Sequence, residues 1–424
     1  MSKQTQTKLE IRLARLEKEN LRLKTKQTKE SQKKEKEISR LKTKQTKEIS
    51  RLEKENLRLK TKQTKEDLLW STELGQMRHS SVLPTRLLHA QEMLEYVLSD
   101  EKMIKALTRN TKEIFYDTLE DLSQIIKKSN DVPHFRDDQN RKEESGNQCK
   151  LYIRHFLLMT QVRKAHNMGQ ESLGAFFGID QSTVSNYLKL ADKYDDELYI
   201  VTPDNITKYI ATIKSEEEFK EIVPGRDGGE ITIDGTLVET TRPEDKDEQK
   251  KQYSGKGKMF ATNTAMMINK QNYIIGISDS REGSCHDLTV LTQGLPDFGK
   301  WTDRMINGKR IPSDHRIRLN LDGGYVGIQN YLLGVNAKIP HKKPKGKKLS
   351  ATKKAQNKAH SKRRVPVENV FAHVKNWKRI SGRYDGTAEE FNVEFNGICG
   401  MYNKRKMWRD GTYQYWKDKI KSRI

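Results

Sequence analysis

The sequence predicts a mixed α/β domain, of the α/β or α+β class, preceded by an all-helical region and a long charged N-terminal helix. Three observations carry this expectation. Residues 1–66 repeat themselves with no Gly or Pro, and residues 67–200 carry apolar side chains at helical spacing. From about residue 229 short apolar runs alternate with polar turns and then give way to helices.

The composition narrows the partner before any motif is considered. A chain of 424 residues has room for two or three domains, while 33% hydrophobic residues and a mean hydropathy of -0.91 leave part of it solvated. The net charge of +23 favours a polyanion, nucleic acid ahead of an anionic membrane. No apolar run reaches the ~20 residues of a spanning helix, and MSKQTQTKLEIR lacks the apolar core of a signal peptide. Cys149, Cys285 and Cys399 form no CxxC pair, which argues against a zinc ribbon and a disulfide framework. That usage fits a reducing, intracellular compartment, either nucleoid or nucleus.

In chain order, the block RLEKENLRLKTKQTKE stands at 15–30 and again at 51–66, and KTKQTKE recurs every 18 residues, five helical turns. Leu9, Leu16 and Leu23 keep heptad spacing, and Asn20 and Asn56 near the seam could fix register. Residues 1–66 are therefore expected to form a coiled coil and a homo-oligomer, the alternative being a solvated charged helix. Residues 67–150 read as helices followed by a polar linker, and carry no recognisable chemistry.

Residues 151–200 read as three helices, the last two within LGAFFGIDQSTVSNYL. Leu173, Phe176 and Phe177 face inward, Gly178 takes the tight turn, and Val184, Tyr187 and Leu188 form the buried side of the last helix. That leaves Gln181, Ser182, Thr183, Ser185 and Asn186 exposed near its N-terminal end. Short hydrogen-bonding side chains there suit base edges and phosphates in a major groove. A plain helical hairpin is the alternative.

EITIDGTLVET, KMFATNTAMMINK and NYIIGISDS read as three strands, HDLTVLTQGL as a helix, and RIRLNLDGGY and NAKIP as two further strands. A basic loop then leads into a helix over RRVPVENVFAHVKNWKRI, entered at Pro366. Asp234 and Asp322 each follow an apolar run and precede glycine, so each is expected at a strand exit, rigid yet reachable. Glu368 on the late helix could complete the cluster. Three carboxylates brought together need neutralising, and hard oxygen donors suit Mg²⁺ or Mn²⁺. Two such ions would activate an attacking water or 3′-hydroxyl in an in-line displacement. His286 and Asp287 start the HDLTVLTQGL helix. Asp287 either works structurally, opposing the helix dipole, or binds metal directly.

The order IDGT, GSCHD, LDGGY, RRVPVEN resembles the catalytic domain of DDE transposases, most closely the bacterial insertion-sequence and harbinger-like branch. The resemblance spans roughly residues 150–405. It implies a ribonuclease-H-like core over 229–405 with Asp234, Asp322 and Glu368 as the metal-binding triad. It also implies an Arg four residues before the glutamate and a Lys seven after it, here Arg364 and Lys375, as phosphate-holding cations. The tyrosine that related families place before that arginine is Ser361 here. The cation-dense segment 341–364 would grip DNA phosphates beside this site, and residues 406–424 read as a basic C-terminal tail. The function expected is a DNA transposase that binds double-stranded DNA at element ends and target, cleaves, and transfers strands. The alternatives are a catalytically inactive DNA-binding regulator and a scaffold built on the coiled coil.

Overall fold

Among the described residues, eight helices precede the first strand. The structure is a computed structural model that describes residues 85–129, 135, 151–226, 228–295, 315–332, 334–346 and 348–424. The expected coiled coil, nearly all of the linker after residue 129, and Cys149 lie outside the described residues. The helices are α1 (Thr85–Ser99), α2 (Glu101–Thr108), α3 (Lys112–Lys128), α4 (Ile153–His166), α5 (Gln170–Phe177), α6 (Gln181–Leu198), α7 (Pro203–Thr212) and α8 (Glu216–Ile222).

The turn between α5 and α6 shows how local sequence fixes geometry. Gly178 ends α5 at φ 71, a left-handed conformation that a Cβ disfavours, and Ile179 N–H donates back to the Gly174 carbonyl. A Cβ on Gly174 would lie 2.6 Å from the Ile179 oxygen, so the reversal also needs glycine inside the helix. Leu173, Phe177, Val184 and Tyr187 are buried, as expected; Phe176 and Leu188 are half-buried. Gln181, Ser182 and Asn186 are exposed, with Thr183 and Ser185 half-exposed. Gln181 Nε2 donates to Gln170 Oε1 at 2.7 Å, tying the open starts of the two helices together.

The sheet follows. It contains β1 (Glu230–Glu239), β2 (Tyr253–Ser254), β3 (Met259–Asn269), β4 (Ile274–Ile277), β5 (Arg281–Glu282), β6 (Ile317–Asn320) and β7 (Val335–Lys338), with α9 (Lys246–Gln252) and α10 (Asp287–Gly294) between strands. The order is β2-β3-β1-β6-β7, with β4 and β5 also on β3. β1 runs antiparallel to β3 and parallel to β6, and β6 runs parallel to β7. This mixed sheet with its helices fits the α+β, ribonuclease-H-like expectation.

Alternation along the strands gives the sheet two working faces. Ile231, Ile233, Ala265, Met267, Ile317 and Leu319 join one core with residues of α7, α8 and α10. The opposite face meets α11 (Ala351–Val374), which crosses β1 and β6 and buries Val367, Val370, Phe371 and Val374. Each of those side chains contributes about 1.5–3 kcal/mol by area. Together they outweigh the cost of Pro366, which lies inside α11 and removes a helix hydrogen bond for about 3 kcal/mol. The sequence expectation is corrected here. Half of the expected basic loop is helix, opened by Ser350, whose side chain accepts from Lys353 N, and Pro366 is internal rather than the entry residue.

The short α12 (Lys378–Ser381), then α13 (Ala388–Arg409) and α14 (Tyr413–Lys421), complete the chain. Residues 406–424 are not a free tail: Met407, Tyr413, Trp416 and Ile420 are buried in the sheet core. Nor are many of the C-terminal cations available to a polyanion. Lys404 is buried against Asp117 and the Thr118 hydroxyl, Lys417 pairs with Asp121, Lys419 with Glu221 and Arg423 with Glu218. Desolvated cations need partners inside the protein, and the sequence order alone does not reveal them. Asn403 makes three bonds, accepting from Ile274 N and donating to the carbonyls of Ile274 and Val201. α13 thus ties the first helices to the sheet, and the described residues belong to one compact unit.

Candidate active site

The parallel pairing of β1 with β6 builds the site. Ile231 pairs with Leu319 and Thr232 with Asn320. β6 ends there, but the same register carried two residues further would bring Asp234 level with Asp322, and the charge of Asp322 acts on Asp234. Asp322 stands at the exit of β6 as expected, and its Oδ1 accepts from Gly324 N at 2.7 Å. Asp234 does not end its strand: β1 continues to Glu239, so the aspartate is held mid-strand between β3 and α11.

Arg364 reaches Asp234 from α11, with Nη2 donating to Oδ2 at 2.8 Å, and Gly235 N donates to Oδ1 at 3.0 Å. Burial raises the Asp234 carboxyl above its ordinary range; Arg364 opposes that rise and the charge of Asp322 adds to it. His360, one turn before Arg364, binds the Leu321 carbonyl through Nε2 at 2.8 Å, and burial holds its imidazole below the usual range. A neutral ring donating there pins α11 to the strand end that carries Asp322.

Glu368 is exposed, one turn beyond Arg364, and Lys375 lies two turns further at the helix end. The three residues therefore share one flank of α11, beside the buried stripe. Lys375 is half-buried and has no ion-pair partner among the described residues; burial lowers its amine below the usual range. Lys342, in the basic loop, passes within 3.8 Å of the place a Cβ on Gly323 would take, so this loop does flank the site.

Asp287 was expected beside this centre either in a structural role or as a direct metal ligand. It opens α10 with its Oδ1 accepting from Asn263 Nδ2 at 3.1 Å, and it touches both glycines that follow the aspartates. His286 caps the same helix, exposed, with no side-chain cap bond. Asn263 is a residue that sequence reading missed: an asparagine inside an apolar strand was the available signal. Tyr325 is another; it is fully buried, and its hydroxyl has no hydrogen-bond partner among the described residues.

Among the described residues no three His, Cys, Asp or Glu side chains stand at the spacing that would hold a metal ion. The physical reason is visible: Arg364 engages Asp234, and Glu368 faces solvent. The donors nevertheless suit a hard divalent cation, because they are carboxylates around an unpartnered hydroxyl, and glycines at 235 and 324 leave room for them.

Residues 233–403, from the strand of Asp234 through the helix of Glu368 and into α13, match the family described as DDE superfamily endonuclease. This stretch is similar to a DDE superfamily endonuclease domain. The domain spans the sheet, α11 and most of α13, and so includes Asp234, Asp322, Arg364 and Glu368. Over 270 residues, 63% of this chain and 85% of the relative, it is 24% identical to a protein of Microchaete diplosiphon named "Probable transposase for insertion sequence element IS702". No solved structure matches. No helix among the described residues is long and apolar enough to cross a membrane.

Proposed function

We propose that the chain is a DNA transposase that cleaves at the ends of a mobile element and transfers the exposed strand to a target. The observation that carries this reading is the parallel β1–β6 register, which carried further would bring Asp234 level with Asp322, beneath a helix bearing Arg364, Glu368 and Lys375. In this reading Asp234, Asp322 and Glu368 hold divalent ions, Mg²⁺ or Mn²⁺ and two in number. When bound, such ions activate the attacking oxygen and stabilise the leaving one.

The protein's own groups do the rest. Water attacks a phosphodiester at the element end, the bond to the 3′ oxygen breaks, and that oxygen leaves as a 3′-hydroxyl. The hydroxyl then attacks a target phosphodiester in the same site, its oxygen bonding to the phosphorus as the target strand's own 3′ oxygen leaves as a hydroxyl. Arg364 and Lys375 stand on the flank of α11 where charge grows on the scissile phosphate, and both are shielded enough for their charge to count. Lys342 and its neighbours draw the backbone in. α5 and α6 form the DNA-reading helix-turn-helix, offering Gln181, Ser182, Thr183, Ser185 and Asn186 to the major groove. Residues 1–66 supply oligomerisation.

The Arg364–Asp234 ion pair favours a second reading, a DNA-binding regulator with a closed site. One experiment separates the two. DNA carrying the sequence that flanks the gene is incubated with the protein and Mg²⁺, Mn²⁺ or EDTA, beside an Asp322→Asn variant. Metal-dependent cutting at the element ends, lost in the variant, is expected. Salt-sensitive binding without cutting would establish the regulator, and cutting unaffected by the substitution would refute the site.

A further inference from the structure

Asp287 lies outside the donor set proposed above, yet the fold brings it close to Asp322 and to Gly235, the neighbour of Asp234. A Cβ on Gly324 would come 2.7 Å from Asp287 Oδ2 and 2.9 Å from Asp322 Oδ1, so the two carboxylates are separated by little more than one methyl group. A Cβ on Gly235, next to Asp234, would come 3.0 Å from Asp287 Oδ1. Glycine at both positions is what lets this third acid approach.

The approach is also held. Asn263 Nδ2 donates to Asp287 Oδ1 at 3.1 Å and to the Cys285 carbonyl at 3.2 Å, fixing the start of α10 against β3. Among the described residues Oδ2 has only a long tether, Lys256 at 3.9 Å, from a lysine that is mostly in solvent. Opposing the dipole of α10 would explain an acid at this position. It does not explain why that acid packs against the two glycines beside Asp234 and Asp322.

Tyr325 supplies an independent observation. Its side chain is fully buried and its hydroxyl has no partner among the described residues. It lies within electrostatic reach of Asp287, Asp234 and Asp322. A buried donor left unsatisfied is costly, and the carboxylates are the acceptors at hand.

We propose that Asp287 is a third carboxylate of the divalent-cation site and that Tyr325 donates its hydroxyl hydrogen to the same cluster when the cation is bound. This rests on the reading that Asp234 and Asp322 hold a divalent ion. Glu368, on the exposed flank of α11, then meets the ion from the DNA side.

The test is Mn²⁺ binding rather than cleavage. Free Mn²⁺ is followed by electron paramagnetic resonance during titration of the full-length protein without DNA. The parent is compared with Asp322→Asn, Asp287→Asn, Tyr325→Phe and Asn263→Ala, each checked for folding by circular dichroism. Asp287→Asn is expected to weaken Mn²⁺ binding roughly 10- to 100-fold, in the range of Asp322→Asn. Tyr325→Phe should weaken it by less. Parental affinity in Asp287→Asn, with affinity lost in Asp322→Asn, overturns the inference and leaves the proposed function standing. Should Asp287→Asn fail to fold, Asn263→Ala takes its place: it keeps the charge but frees the side chain, and parental affinity there refutes the proposal equally. No saturable Mn²⁺ uptake by the parent would sink the metal reading itself, and this inference with it.

Discussion

Replacing Arg364 by Met removes the cation that holds Asp234 ionised, and the consequence depends on pH with a definite sign. The guanidinium donates to Asp234 Oδ2 at 2.8 Å, and both side chains are mostly shielded from water, at 17% and 18% exposure. A hydrogen bond to a charged group is worth about 1.5–3 kcal/mol, and 1.4 kcal/mol is a factor of ten in an equilibrium. Asp234 already has a raised pKa, through burial and the charge of Asp322, with Arg364 opposing. A divalent ion needs the carboxylate, so binding is present at higher pH and lost as pH falls through the folded-state pKa. Without Arg364 the proton competes better, and Mn²⁺ affinity on the acid side should fall roughly 10- to 100-fold. On the alkaline side the ion no longer competes with Arg364 for Oδ2, so affinity should equal or exceed that of the parent. The assay is a Mn²⁺ titration at several pH values, giving two affinity curves that cross. A uniform loss at every pH, or an unmoved acid limb, would mean that Arg364 does not control the ionisation of Asp234.

Other substitutions probe the frame around the site. Lys164 on α4 is buried against Asp195 on α6, and the Asp195 carboxylate raises the lysine's amine above its ordinary range despite the burial that opposes it. Lys164→Met should cost about 3–5 kcal/mol in urea unfolding by leaving Asp195 unpaired. The Lys164→Met/Asp195→Leu double variant should recover most of that, and a double variant worse than the single would refute the ion-pair account. Gly324→Ala places a methyl against Asp287 and Asp322 and should abolish Mn²⁺ binding while the far-ultraviolet circular dichroism stays parental. Gly178→Ala forces a Cβ into a φ of 71 and should destabilise the chain by roughly 1–2 kcal/mol, measured by chemical denaturation.

Much of the fold was legible because its signals are local. The strands around Asp234 and Asp322, the helix of Glu368 and the glycine turn at Gly178 each follow from a period of two or 3.6 residues and from turn chemistry. The errors came where tertiary contact overrides a local sign. Asp234 before Gly235 looks like a strand end, yet pairing with β3 carries the strand onward to Glu239. Pro366 looks like a helix start, yet α11 is helical on both sides of it, with four buried apolar side chains after it and the buried His360 before it. The cations of α13 and α14 look like a polyanion-binding tail until Asp117, Asp121, Glu218 and Glu221 arrive from helices far away in sequence to pair with them.

By itself, the sequence determined the order of the chemistry: two aspartates after apolar runs, an acid on a late helix with its flanking cations, and a basic chain suited to DNA. Those features are written in neighbouring residues. Only the tertiary structure decided which groups meet. The β1–β6 pairing brings Asp234 within reach of the charge of Asp322, α11 brings Arg364 onto Asp234, and α10 slides Asp287 into the space that two glycines leave open. Such meetings depend on strand pairing and packing between residues far apart in the chain, and no local period encodes them.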